Sequence, residues 1–70
     1  MQINFRTGAQ GKTAVLNGHS EIGMITNNPK TGRKTLRLGS LHAADKTEAD
    51  VTYIYHNHAA LKRKIESMTV

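Results

Sequence analysis

One run of six residues combines hydrogen-bonding cations with the alternation of a strand. Arg33, Thr35 and Arg37 alternate with Leu36 and Leu38, which is the period of a strand that buries one face. Alternate side chains on one strand face lie about 7 Å apart, so two arginines can engage neighbouring phosphates or base edges when a sheet lies against the major groove. The alternative interpretation is the ordinary solvated face of an antiparallel sheet.

Neighbouring polar residues extend this candidate surface. Lys30 and Lys34 lie beside the run, and the polar face of a predicted first strand, Gln2, Asn4 and Arg6, joins it. Over the whole chain, ten Lys and Arg oppose five Asp and Glu, which gives a net charge of +5. Such a field favours phosphate backbones or acidic proteins as partners. It equally favours plain solubility.

The segment Gly8-Ala9-Gln10-Gly11-Lys12-Thr13 has the residues that end a phosphate-binding loop. The full motif requires a glycine five residues before Gly11, where Arg6 stands, and a helix directly after Lys12, where the sequence is strand-like. We therefore predict a flexible glycine turn at this place rather than a nucleotide site.

Four histidines, His19, His42, His56 and His58, raise the question of a metal site. On a helix His56 and His58 point about 200° apart, whereas chelation by a helical pair requires a spacing of three or four residues. We predict that the four histidines form no metal site, that His58 is partly buried and that His56 is solvated.

Catalytic machinery is sparse in this sequence. The chain has no cysteine nucleophile, and Asp45, Glu48 and Asp50 are explained by the start of a helix, where carboxylates are favourable. Ser40 and His42 are a conceivable catalytic pair, but the sequence supplies no third group that would orient them. We expect no catalytic residue, no cofactor and no enzymatic activity.

The elements that position these residues are predicted from hydrophobic periodicity. Strand-like alternation occupies residues 2–6, 13–16, 19–26 and 33–38, and an apolar stripe with a helical period runs from Val51 to Met68,. Asp45 and Thr47 are candidate capping residues for this helix. The sequence therefore predicts an α+β fold, with a small antiparallel meander of three to four strands within residues 1–41 packed against one C-terminal helix of about residues 46–68.

The same patterns predict the turns and the core. Asn17-Gly18 is the dipeptide that best suits a two-residue hairpin, and in the strand that follows, Ile22 and Met24 are expected to point inward. The residues expected to be largely buried are Ile3, Phe5, Val15, Ile22, Met24, Leu36, Leu38, Val51, Ile54, Leu61 and Ile65.

Length and composition favour a single domain over residues 1–70. A chain of 70 residues buries only a small core,, so association with a second copy or a larger partner is a natural expectation. It has no cysteine, no apolar run near the 20 residues needed to cross a bilayer, and no apolar block at its N-terminus,. We expect a cytoplasmic protein without a membrane partner.

The stretch from Ile22 to Leu61 resembles a known DNA-binding layout. The matching segments are Gly32-Arg33-Lys34, Leu36-Arg37-Leu38-Gly39-Ser40-Leu41, Thr47-Glu48-Ala49, and Tyr53 or Tyr55 followed by Ala59-Ala60. This layout is similar to the three-stranded-sheet-plus-helix domain of plant ethylene-response factors and of the arm-site-binding segment of phage and transposon integrases. The resemblance implies that the sheet lies in the major groove, with the DNA-facing role on Arg33, Thr35 and Arg37 and phosphate contacts from Lys12 and Lys30.

Two hypotheses of function follow from these patterns. The first is a small basic, non-enzymatic DNA-binding module of a phage or other mobile element, acting through the open face of its sheet. Its predicted contact residues are Arg33, Thr35, Arg37, Lys30, Lys34, Lys12 and Arg6. The second is a phage-type protein inhibitor, either anti-CRISPR-like or directed at other host machinery, whose basic surface would occupy an acidic patch or the nucleic-acid channel of a host protein. The absence of DNA binding at low salt would favour the second hypothesis over the first. So would a stoichiometric protein partner that survives nuclease treatment.

Overall fold

The computed structural model describes residues 2–39 and 47–69 of the chain, which form one antiparallel sheet and one helix. The elements are β1 (Ile3–Thr7), β2 (Thr13–Asn17), β3 (Ser20–Asn27), β4 (Lys34–Leu38), β5 (Thr47–Asp50) and α1 (His58–Thr69). The strands follow one another in chain order across the sheet. The predicted α+β class, a meander with one C-terminal helix, is confirmed. Four strands lie within residues 1–41, in agreement with the prediction, and β5 adds a fifth strand where the start of the helix was predicted.

The hairpin between β2 and β3 turns one residue later than predicted. Asn17 still pairs in the sheet, opposite Ser20, and the two turn residues are Gly18 and His19. Gly18 adopts a φ of +63°, a conformation that glycine reaches without steric cost. Asn17 serves the sheet instead, because its Oδ1 accepts a hydrogen bond of 3.1 Å from the backbone N–H of Gln2.

A β-bulge decides which residues of β3 enter the core. The register between β2 and β3 shifts between Val15 and Leu16, so Ile22 is an extra residue and the alternation beyond it moves by one position. Ile25 is therefore buried, while Ile22 is only half-buried against the core. The prediction that Met24 points inward is wrong: Met24 lies opposite Ala14 and Arg37 on the other face of the sheet.

Gly23 lies opposite Leu38 in the pairing of β3 with β4. A Cβ atom at this position would lie 2.5 Å from the backbone oxygen of Arg37 and 2.7 Å from Cδ2 of Leu38. Only glycine fits such a position without moving the neighbouring strand.

The helix is shorter than the apolar stripe suggested. Residues Thr47–Asp50 form β5, residues 51–57 form turns, and α1 begins at His58 rather than near residue 46. Asn57 caps the helix, because its Oδ1 accepts a 3.2 Å hydrogen bond from the N–H of Ala60,. The predicted cap at Thr47 is wrong because Thr47 pairs with Leu38 in the sheet, and Asp45 lies outside the described residues.

The core lies between one face of the sheet and α1. Its buried hydrophobic residues are Ile3, Val15, Ile25, Leu36, Leu38, Val51, Leu61 and Ile65. Phe5, Ile22 and Ile54, which were expected to be largely buried, are only partly buried at its margin, together with Tyr55 and Met68. No helix within residues 2–39 and 47–69 is long and apolar enough to cross a membrane.

Candidate nucleic-acid interface

The face of the sheet opposite α1, here called the open face, carries most of the predicted contact residues. Arg6 lies opposite Ala14, Ala14 opposite Met24, Met24 opposite Arg37, and Arg37 opposite Glu48. Because cross-strand partners point to the same side of a sheet, these five residues form one continuous row. The row therefore has Arg6 on β1 and Arg37 on β4, with the apolar side chains of Ala14 and Met24 between them and Glu48 on the edge strand β5.

Both arginines of the predicted DNA-facing strand form ion pairs with β5. Arg33 Nε donates to Asp50 Oδ2 at 2.9 Å, and Arg37 Nε pairs with Glu48 Oε1. The side chains of the second pair are about half exposed, at 49% and 50%. Exposed ion pairs contribute little to stability, so an incoming phosphate can replace the carboxylate at modest cost.

Thr52, two residues after Asp50, holds the carboxylate of Asp50 in place. The backbone N–H and the hydroxyl of Thr52 both donate to Asp50 Oδ1, at 2.9 and 2.6 Å. These two bonds, the side-chain bond first, and the bond from Arg33 lower the pKa of Asp50 from 3.8 to about 2. The Thr52 hydroxyl also accepts a 2.8 Å bond from the N–H of Lys34. Asp50 therefore stays ionised well into the acid range and orients Arg33.

A shallow depression separates the two ion pairs on the open face. Its volume is about 260 Å³, and its lining residues are Arg33, Thr35, Glu48, Ala49 and Asp50. Thr35 lies opposite Thr26 and Asp50 and is half-buried. A depression lined by one guanidinium group, a hydroxyl and two carboxylates suits a small anion such as a phosphate only if Asp50 releases Arg33.

Cations and anions are distributed unevenly along the open face. Glu21, which pairs with Leu16, lies at the end of the sheet that carries the β2–β3 turn. The opposite end, here called the loop end, carries the 8–12 loop, the 28–33 turn and residues 51–57. Lys12 and Lys30 are exposed at the loop end, and strand alternation places Lys12 on the same side as Ala14. The excess of positive charge on this face therefore lies at its loop end.

The 8–12 loop lies close to the last residue of β3 at the loop end. A Cβ atom on Gly11 would lie 3.3 Å from Cβ of Asn27, the last residue of β3. The 28–33 turn is closed by the N–H of Asn28, which donates to the backbone oxygen of Arg33 at 2.8 Å. The glycine segment is a turn, as predicted from its sequence, and it brings Lys12 to the side of the sheet from which the 28–33 turn projects.

Lys34 does not belong to the open face. It lies opposite Asn27, and its Nζ is 4.7 Å from the ring centroid of Tyr55, which packs at the margin of the core. A cation over an aromatic ring is attracted by the negative face of the ring. The prediction that Lys34 joins Arg33 and Arg37 is wrong because neighbouring residues in a strand point to opposite faces.

The histidines are dispersed in the described part of the chain. His19 lies in the β2–β3 turn, His56 in the turns before the helix, and His58 is the first residue of α1. His58 is exposed rather than partly buried, although its ring centroid lies 5.1 Å from that of Phe5. Ser40 and His42 lie outside the described residues. Within residues 2–39 and 47–69, no group of three or more His, Cys, Asp or Glu is placed to hold a metal ion.

Sequence reasoning missed the part that β5 plays in the site. Glu48 and Asp50 were assigned to a helix start, yet they are the partners of Arg37 and Arg33. The alternation Thr47-Glu48-Ala49-Asp50-Val51 is a strand signal that was available in the sequence,. Interpreted as a strand, this segment places both carboxylates on one face of the sheet, the face on which Arg33 and Arg37 lie.

Comparisons with known proteins do not assign the chain to a group. No family model matches it, and neither the curated proteins nor the solved structures contain a match. The arguments about function therefore rest on the geometry and charge of the open face.

Proposed function

We propose that this chain is a small non-enzymatic nucleic-acid-binding module that holds the phosphate backbone against the loop end of its open face. The observation that carries the proposal is the concentration of cations there. Arg6, Lys12, Lys30 and Arg33 lie on or beside this part of the sheet, where the carboxylate is Asp50, and Arg37 with Glu48 lies further along the same face. A cationic surface of this kind supplies the sequence-independent part of nucleic-acid binding.

In this proposal the two β5 carboxylates hold the arginines ready for phosphate. Guanidinium groups form bidentate bonds with carboxylates and with phosphates in similar geometry. Arg33 and Arg37 are already extended across the open face by Asp50 and Glu48. Less side-chain freedom is lost on binding than for unrestrained arginines, since the carboxylate has already ordered the side chain. The cost is that each carboxylate must be displaced or tolerated near the phosphate.

The resemblance to sheet-based DNA-binding domains implies a DNA-facing sheet, although the segment Thr47-Glu48-Ala49, which the resemblance assigns to a helix start, forms β5 instead. The three strands β3, β4 and β5 lie side by side and precede α1 in the chain. The central strand of these three is β4, which carries Thr35 and Arg37 on the open face. Arg33 and Arg37 already use their Nε groups in ion pairs with Asp50 and Glu48. We therefore propose that they contact phosphates rather than base edges.

The test is the salt dependence of binding to short DNA duplexes of unrelated sequence. We expect Lys12→Ala, Arg33→Ala and Arg37→Ala each to weaken binding to all duplexes alike and to reduce the salt slope by roughly one unit, since each neutralises one phosphate. The matched control is Lys62→Ala, which removes an exposed cation from α1 on the other side of the sheet and should leave the slope unchanged.

Two outcomes would revise or reject this proposal. If Arg37→Ala loses about 1 to 3 kcal/mol on one preferred duplex and little on others, Arg37 reads a base edge and the binding is specific. If the wild-type chain does not bind DNA at low salt, or if the three variants behave like Lys62→Ala, the nucleic-acid function on this face is excluded.

One observation favours a second candidate, a protein inhibitor that binds a host protein. The centre of the open face carries Ala14, Leu16 and Met24, all half-buried, between Arg6 and the Arg37–Glu48 pair. Protein interfaces combine an apolar centre with arginines at hot spots. Met24→Lys should then abolish capture of a nuclease-resistant, stoichiometric protein partner, whereas in the nucleic-acid proposal the added cation should strengthen DNA binding.

A further inference from the structure

β1 lies at one edge of the sheet, and within the described residues only β2 pairs with it. Two backbone bonds define which groups of β1 face β2. Gly18 donates its N–H to the oxygen of Gln2 at 2.8 Å, and Gly8 donates its N–H to the oxygen of Lys12 at 2.7 Å. Both bonds involve even-numbered residues of the β1 segment.

This pattern fixes the direction of every backbone group in β1. Residues of an antiparallel ladder alternate between those that bond to the neighbouring strand and those that do not. Asn4 and Arg6 therefore bond to β2, and the N–H and C=O groups of Ile3, Phe5 and Thr7 point away from the sheet. The edge offers three regularly spaced donors and three acceptors to another strand.

β1 lacks the features by which proteins usually protect such an edge. Edge strands are commonly shortened, charged, interrupted by proline or twisted away by a bulge. β1 has five residues without lysine, proline or bulge, and its only charged side chain is that of Arg6. The other edge strand, β5, has four residues, of which Glu48 and Asp50 are charged.

We infer that β1 pairs antiparallel with β1 of a second copy of this chain, about a two-fold axis at Phe5. In this register Phe5 lies opposite Phe5 of the second copy, Ile3 opposite Thr7, and Asn4 opposite Arg6. All three outward-facing residues then both donate and accept a backbone hydrogen bond across the new interface. The two sheets become one continuous sheet with both α1 helices on the same side.

The side chains of β1 select this register over its neighbours. Asn4 and Arg6 of the second copy form a pair that is not backbone-bonded, in which side chains come closest, and an amide oxygen accepts from a guanidinium group. On the helix side the half-buried Phe5 rings meet beside His58. An axis at Arg6 would bring two arginines together, and an axis at Asn4 would place Thr7 opposite Met1, which lies outside β1. A shift by one residue would exchange the two faces of the sheet.

The inference is tested by two opposite substitutions at one exposed position. Asn4→Glu places a carboxylate opposite Arg6 of the second copy, and Asn4→Lys places a second cation there; each change occurs twice by symmetry. Cross-strand charge pairs of this kind should shift the dimer dissociation constant by about 2- to 30-fold. Sedimentation equilibrium of nuclease-treated protein at low salt should show tighter dimers for Asn4→Glu and weaker dimers for Asn4→Lys.

Matched controls separate the local effect from that of net charge. Ser67 is exposed on α1, so Ser67→Glu and Ser67→Lys change the net charge equally without touching β1. If the wild-type chain stays monomeric at every attainable concentration, the inference is overturned. The same follows if the Asn4 variants shift the dissociation constant no more than the Ser67 variants do.

Amide hydrogen exchange of the wild-type chain gives an independent test that requires no substitution. The amides of Ile3, Phe5 and Thr7 should exchange fast in dilute protein and gain protection as concentration rises. The amides of Asn4 and Arg6 should be protected throughout, because they bond to β2. If the odd-numbered amides are protected only when a different protein or peptide is added, the edge serves another partner and pairing with a second copy is overturned.

Discussion

The two edge strands of the sheet carry different side-chain contacts beside their backbone pairing. β1 is anchored by apolar burial, since Ile3 is only 4% exposed and Phe5 packs at the margin of the core. β5 carries exposed polar contacts, the Arg37–Glu48 and Arg33–Asp50 pairs, and is followed by Thr52, whose hydroxyl accepts a bond from the N–H of Lys34. The difference teaches that one edge is secured from the helix side and remains open along its backbone, while the other carries the charges that organise the open face.

The largest effect expected from this comparison is on stability, through the apolar anchor of β1. Ile3→Ala should lower the free energy of unfolding by about 2 to 5 kcal/mol, because it removes methyl groups from a closely packed site. The control, Asn4→Ala, changes an exposed residue of the same strand and should cost less than about 0.5 kcal/mol. Urea unfolding followed by circular dichroism measures both. Equal losses for the two variants would show that β1 is not anchored by Ile3.

A smaller effect is expected at the other edge, where charge rather than burial is at stake. Glu48→Gln releases Arg37 and removes an anion from the open face, so DNA affinity at low salt should rise by about three- to tenfold, equivalent to about 1 kcal/mol. Stability should change little, because the ion pair is exposed,. Fluorescence anisotropy with a labelled duplex measures the affinity, and unchanged or weaker binding would contradict the exchange of carboxylate for phosphate.

The smallest effect concerns the pH dependence that β5 adds through Asp50. The folded pKa of about 2 lies below the ordinary value, so the ionised carboxylate stabilises the fold. This contribution is complete above about pH 4 and is lost as the pH falls through about 2. The difference in unfolding free energy between wild type and Asp50→Asn should therefore shrink over that window. Carbon NMR titration of Asp50 should give the low pKa directly.

Thr52→Val is the matched variant for that titration. It keeps the shape of the side chain and removes the hydroxyl that donates to Asp50 Oδ1 at 2.6 Å, so the pKa of Asp50 should move up towards 3.8. If Thr52→Val leaves the pKa of Asp50 unchanged, the hydroxyl is not the main cause of the shift.

Periodicity was sufficient to predict the first four strands and the apolar stripe of the true helix. Leu61, Ile65 and Met68 keep the helical spacing inside α1, and Leu36 and Leu38 alternate inward as expected. The start of the helix was mispredicted because Val51 and Ile54 continue the same spacing while lying in strand-end and turn conformations. β-branched and aromatic residues between Val51 and Tyr55 disfavour a helix, and Asn57 is the better cap.

The composition of the open face could be predicted only in part. Strand alternation was enough to place Arg33, Thr35 and Arg37 on one side of the sheet. The same alternation assigns Lys34 to the other side, so Lys34 should not have been predicted as a contact residue of the open face. The inward turn of Ile25 depends on a bulge, which local sequence does not specify because the extra residue is defined by pairing between β2 and β3. The ion pairs depend on β5, whose carboxylates were mistaken for a helix start.

The close packing at Gly23 couples the helix side of the sheet to the open face. A single methyl group there would press on the backbone oxygen of Arg37, a rigid atom, and so would push apart the strands that set the position of the Arg37 side chain. A mutation on the helix side would thus appear in a genetic screen as a defect of the opposite surface. In a library of single substitutions selected for function, every substitution of Gly23 should be depleted, whatever side chain it introduces.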